Sequence, residues 1–192
     1  LKESELIGIP DSVKALAADT AKNENKKGWL FTLEFPLYMP VMKYAENVEL
    51  RKEMYCAYVT RSSDLGPDGG KWDNTDLMYK ILKLRTEKAK LLGFKNYAEY
   101  SLEKKMAKTP NEVMLFLDNL AKRSKKIAKK EYDELKKFAF HTEGLKNLDA
   151  WDIPYFSEKL RKMKFFISQE DLRRYFPVDQ VIEGLFKITN KL

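Results

Sequence analysis

Apolar residues return every three or four positions along most of this chain, and the elements they predict are helices. Val13, Leu16 and Ala17, entered through Pro10 and Asp11, predict a short first helix that fades over Asn23 to Lys27. Gly28 then opens Trp29-Leu30-Phe31-Thr32-Leu33-Glu34-Phe35, whose aromatic and Thr content predicts an extended strand ended by Pro36. From Tyr38 to about Ser63 helical spacing resumes, with a break near Asn47 and the stripe Leu50, Met54, Ala57 and Tyr58 beyond it. The turn formers Leu65-Gly66-Pro67-Asp68-Gly69-Gly70 follow, and Asp73 or Asn74 is placed to accept a backbone N–H as the cap of a helix from about Thr75 to Leu92. That helix ends at Gly93, which takes the left-handed conformation while Phe94 folds back on the last turn.

A shorter helix is expected from about Asn96 to Met106. Pro110 begins the longest stretch, on which Val113, Phe116, Leu117, Leu120, Ala121, Ile127, Ala128, Leu135 and Phe138 share one face at about 100° per residue. Helices follow over Ile153 to Phe166, over a short piece opened by Ser168 with Glu170 and Asp171 in its first turn, and from Asp179 to Leu192. The fold class is mostly α: a multi-helix scaffold with at most one short β-hairpin, around Trp29, and no internal repeat, low-complexity tract or flexible linker.

Composition narrows this picture by exclusion. The 192 residues are 44% hydrophobic and 12% aromatic, enough to bury a core despite the 34% that are charged. No run of about 18 apolar residues and no signal-like segment occurs, so neither a membrane span nor a secretory leader is expected. One cysteine, Cys56, and one histidine, His141, cannot supply an internal disulfide, a Cys-rich zinc site or a two-histidine zinc motif. The chain starts at Leu1, and the stripe Val181, Leu185, Ile188 and Leu192 is still running at its last residue. The expectation is therefore a single helical segment, 1–192, of a larger protein, truncated at both ends.

The net charge of +7 raises the question of nucleic acid. Lys122, Lys125, Lys126, Lys129, Lys130, Lys136 and Lys137 all lie opposite the apolar face of the longest helix, however, where a solvated surface explains them. His141 follows that helix as a cap on its negative end, and Cys56 reads as a packing residue beside its stripe. Gly66, Gly69 and Gly70 fit neither glycine fingerprint of phosphate loops and read as a helix-to-helix turn. Glu170 and Asp171 suit a helix start. These residues by themselves define no self-contained active site.

Five passages, in order, resemble one family, the zinc oligopeptidases that include oligopeptidase A, thimet oligopeptidase and dipeptidyl carboxypeptidase. They are SELIGIPDSV (Ser4 to Val13), the stretch from Gly28 to Ser63 with Arg51, Tyr58 and Arg61, the stretch from Asp73 to Ala107, WDIPYFSEKL (Trp151 to Leu160) and YFPVDQVIEGL (Tyr175 to Leu185). The passage VTRSSDLGPDGGKWDN (Val59 to Asn74) is nearest the bacterial oligopeptidase A branch. Where the family has Trp-Asp-x-x-Tyr-Tyr this chain ends in Phe156, one hydroxyl fewer, and the family's His-Glu-x-x-His motif, which lies downstream of the matched region, is absent.

The resemblance implies a cytoplasmic, two-lobed helical metallopeptidase that admits short peptides to a deep channel. In the full-length protein two histidines and a later glutamate hold Zn²⁺, and the motif glutamate is the general base. This segment forms scaffold beside the channel, carries no catalytic, cofactor-binding or metal-ligating residue, and is expected to be inactive alone. Trp151, Asp152 and Tyr155 are the residues expected near the channel, the competing reading being core packing with Asp152 as a helix cap. No nucleic-acid or membrane partner is expected. A non-enzymatic helical interaction module and a basic nucleic-acid-binding domain remain the other readings.

Overall fold

The computed structural model describes residues 2–167 and 169–192, so the expected helix start at Ser168 lies outside the described residues, as do the side chains of 169 and 170. A 3₁₀ turn, Glu3–Leu6, precedes α1 (Asp11–Asn23), α2 (Phe35–Tyr44), α3 (Val48–Val59), α4 (Thr75–Leu91), α5 (Tyr97–Leu102), α6 (Pro110–Glu143), α7 (Ile153–Phe165), α8 (Gln169–Arg173) and α9 (Val178–Thr189). The chain divides into two compact units, Leu1–Tyr55 with Leu135–Leu192, and Cys56–Glu134.

The first unit holds nearly all of the buried residues. Val13, Ala17 and Ala21 repeat every four positions on α1 and are buried, and their small side chains let α2 approach through Leu37, Tyr38, Val41 and Met42. α2 also packs on α7. At the end of α6, Leu135 and Ala139 form a cluster with Tyr155 and Phe156 of α7, ringed by the partly buried Phe138, Leu145, Leu148 and Leu160.

The strand expected from Trp29 to Phe35 does not form. No strand occurs among the described residues, and the Leu30 N–H bonds instead to the Ala17 carbonyl of α1 at 3.0 Å. Aromatic and Thr content suits a strand only where a partner strand exists. Pro36, read as a strand stop, sits in the first turn of α2, where no N–H is needed.

In the second unit Ala89 is the one buried residue among those described. α4 ends in a Schellman turn: Gly93 has φ +83°, its N–H bonds to Lys90 O at 3.0 Å, and the Phe94 N–H bonds to Ala89 O at 2.9 Å. Phe94 then meets Tyr100 of α5 edge-on at 5.4 Å. Of the two candidate caps of α4, Asp73 does the capping, its Oδ1 accepting from the Thr75 N–H at 3.0 Å and the Thr75 hydroxyl at 2.7 Å. The turn after α3 is a helix-to-helix turn as expected. Gly66 has φ +88°, and a Cβ on it would stand 1.9 Å from Thr60 Oγ1.

The apolar stripe of α6 is buried only near its end. Leu135 is 6% exposed, whereas Phe116, Leu120 and Ile127 are 66%, 54% and 60% exposed. Periodicity places residues on one face of a helix; it does not supply the surface that covers them.

Candidate functional site

The polar residues that the first unit draws together gather where α7 begins. Ile153 and Pro154 open this helix, proline again in the first turn, which sets Trp151 and Asp152 just before it and Tyr155 one turn in. Asp152 stands at the N-cap position but its carboxylate caps nothing in α7. One oxygen, Oδ1, accepts from Arg51 Nη2 of α3 at 2.8 Å, and Oδ2 accepts from the Asp149 N–H at 3.2 Å. The competing expectation of Asp152 as a helix cap thus gives way to an ion pair, because a guanidinium lies within reach of a carboxylate that is almost wholly buried.

Arg51 is itself 1% exposed. Its Nη1 donates to Ala45 O at 2.7 Å and Glu46 O at 3.2 Å, at the carbonyl end of α2, where a cation is favoured by the helix dipole. Its Cζ lies 4.1 Å from the centre of the Tyr155 ring. One guanidinium therefore ties α2, α3 and α7 together. Its Nε is buried without a hydrogen-bond partner among the described residues. Arg51 was visible in the sequence as part of a family passage, but its burial was not read. The signal was its spacing, three before Met54 and seven before Tyr58 on the same helix.

A second brace lies around Tyr155. Its hydroxyl donates to Glu143 Oε1 at 3.3 Å, and Lys159 Nζ donates to the same oxygen at 2.6 Å while lying 4.4 Å from the Tyr155 ring centre. Burial pushes the Tyr155 phenol up, a push opposed by the hydrogen bond and charge of Lys159. Burial alone pulls the Lys159 ammonium down, but the hydrogen bonds to Glu143 and Tyr155 outweigh it and the net shift is upward. Further along α7, Glu158 is 6% exposed, paired with Arg161 and accepting from the Tyr44 hydroxyl at 3.4 Å. The hydrogen bond that Arg161 donates to Glu158 raises its guanidinium still higher.

Tyr155, Glu158 and Lys159 line a pocket of about 330 Å³ together with Tyr44, Glu46 and Gly8. Of the three residues expected near a channel, Tyr155 reaches this pocket; Asp152 is buried in its ion pair. Trp151 is half-buried against α3, edge-on to Tyr55 at 6.0 Å and with Lys52 Nζ 5.6 Å from its ring. Phe156 is 1% exposed and meets Phe138 at 6.4 Å and Tyr155 at 5.1 Å, both edge-on. Its surroundings are apolar, and a bare ring suits them.

Chemically this is a set of compensated charges, which holds helix ends in place and leaves no activated nucleophile. Among the described residues no three or more His, Cys, Asp or Glu stand together as a metal cluster. His141 is exposed in the last turn of α6, Cys56 is half-buried in α3, and Lys122, Lys125, Lys126, Lys129, Lys130 and Lys137 are exposed. No helix among the described residues is long and apolar enough to cross a membrane.

Comparison with known proteins identifies the family of the chain. The family model of peptidase family M3 matches residues 41–192, and the chain belongs to that family. It is 48% identical over 190 residues to oligopeptidase A of Haemophilus influenzae and 47% identical over 190 residues to oligopeptidase A of Escherichia coli, in each case covering 99% of this chain and 28% of the relative. Dipeptidyl carboxypeptidase of Escherichia coli is 26% identical over 193 residues, covering 98% of this chain and 28% of the relative. The chain thus spans little more than a quarter of the length of these relatives.

Proposed function

We propose that this chain is part of a zinc-dependent oligopeptidase that hydrolyses short peptides in the cytoplasm, and that it serves there as inactive helical scaffold. The observation that carries this reading is the match to peptidase family M3 over residues 41–192, joined to identity of nearly half with oligopeptidases A along the whole chain. The described residues do not fit a zinc site, so the metal's ligands come from elsewhere in the longer protein and no step is assigned to this segment. Zinc bound there would supply an activated water for peptide-bond attack. The part played by this chain is mechanical. The buried Arg51–Asp152 pair and the Tyr155–Glu143–Lys159 group fix the ends of α2, α6 and α7, and Trp151, Asp152 and Tyr155 belong to the wall beside the substrate channel. A wall that must keep its shape while peptides pass is served by helix ends locked through charge and ring contacts.

The test is hydrolysis of an internally quenched short peptide by the full-length protein. Cleavage that stops on chelation and returns with Zn²⁺ is expected; absence of cleavage, or cleavage indifferent to chelator, would overturn the proposal. In the same protein Trp151→Ala is expected to alter KM or kcat for peptides while the circular-dichroism spectrum stays unchanged. Unaltered kinetics would remove Trp151 from the channel wall.

A further inference from the structure

Helix α9 buries none of its residues. Val178, Val181, Ile182, Leu185, Phe186 and Ile188 follow the three-and-four spacing of one helix face, and each is between 48% and 70% exposed. Asp179, Glu183 and Lys187 occupy the other side, the last two joined at 2.7 Å. Two carboxylates against one lysine make a poor flank for anionic lipid, since helices that lie on membranes carry lysine and arginine there.

Resting on the reading of the chain as part of a longer peptidase, we propose that this face of α9 is the seat of a second amphipathic helix from the same longer polypeptide. The relatives that match 99% of this chain have only 28% of their length covered by it, so a full-length chain has ample polypeptide to lay on the face. The ridge spacing fits a helix, packed side chains into grooves.

The experiment uses the full-length protein with Cys56→Ser and any further accessible cysteine removed. Leu185→Cys is compared with Gln180→Cys on the polar side, reading the rate of maleimide labelling under native conditions. Leu185→Cys is expected to react at least about tenfold more slowly than Gln180→Cys, because reaction requires the packed helices to open. Equal rates would overturn the proposal. Protection that disappears on dilution would also overturn it, since a second copy would then be the cover. Should Leu185→Cys fail to fold, hydrogen exchange of α9 amides in the unmodified protein reads the same point: slow exchange supports the proposal and exchange at unprotected rates refutes it. Peptide hydrolysis by the unmodified protein, measured in parallel, separates the two claims. A protected α9 in a protein without peptidase activity sinks the functional reading alone, and a reactive α9 in an active peptidase sinks this one alone.

Discussion

The two units of the chain are both helical, yet they differ in what makes them so. In the first unit α1, α2 and α7 bury Val13, Ala17, Val41, Met42, Tyr155 and Phe156 against one another, and a buried arginine joins three helix ends. In the second, α4 and α5 pack but Ala89 alone is buried among the described residues, and order rests on local devices: a Schellman turn, an Asp73 cap and the edge-on contact of Phe94 with Tyr100. A helix can thus be written by short-range signals alone, whereas a core demands partners far away in sequence. Substitutions in the first unit should therefore cost several times more than those in the second.

The largest effect is expected at Arg51. Arg51→Met leaves the Asp152 carboxylate buried and uncompensated and should destabilise the chain by about 3–5 kcal/mol in urea unfolding, while adding Asp152→Leu should recover much of that loss. A single variant as stable as the parent would show that the pair is no brace. Of similar size is Phe156→Ala, at about 3–5 kcal/mol, set against Leu120→Ala on the exposed stripe of α6, expected within about 0.5 kcal/mol of the parent. Equal losses at the two sites would erase the distinction between the units.

How much of this the sequence disclosed follows the same division. The break at Asn47, the helices from Thr75 and Pro110, and the stop at Gly93 were legible because each is a local signal: a side chain or a positive φ that satisfies nearby backbone groups. The strand at Trp29 was misread because its composition favours extension while nothing in the chain offers a ladder. The competing reading of Asp152 as a helix cap fails because its partner, Arg51, is 101 residues away and no spacing rule reaches that far. Trp151, Asp152 and Tyr155 were singled out from a family passage, and the structure adds what the passage alone does not hold, the cations that surround them.

Smaller effects test the local devices. Gly93→Val should cost about 1–2 kcal/mol from the left-handed backbone alone, since a side chain there meets open space; an unchanged melting temperature would refute the Schellman assignment. The smallest effect is in pH. The Thr75 hydroxyl and N–H hold the Asp73 carboxyl below its ordinary value. The folded value being the lower, this contribution is complete above the ordinary aspartate range and fades as pH falls through the folded value. Asp73→Asn should flatten that part of the acid-side stability profile in fluorescence-monitored unfolding, and an identical profile would show that the cap does not titrate.

The measurement that bears most directly on the central claim is zinc content by elemental analysis after gel filtration, made on the full-length protein and on the 192-residue chain side by side. One zinc bound by the full-length protein and none by the chain is the predicted result. Stoichiometric zinc on the chain itself, or a peptidase-active full-length protein that holds none, would contradict it.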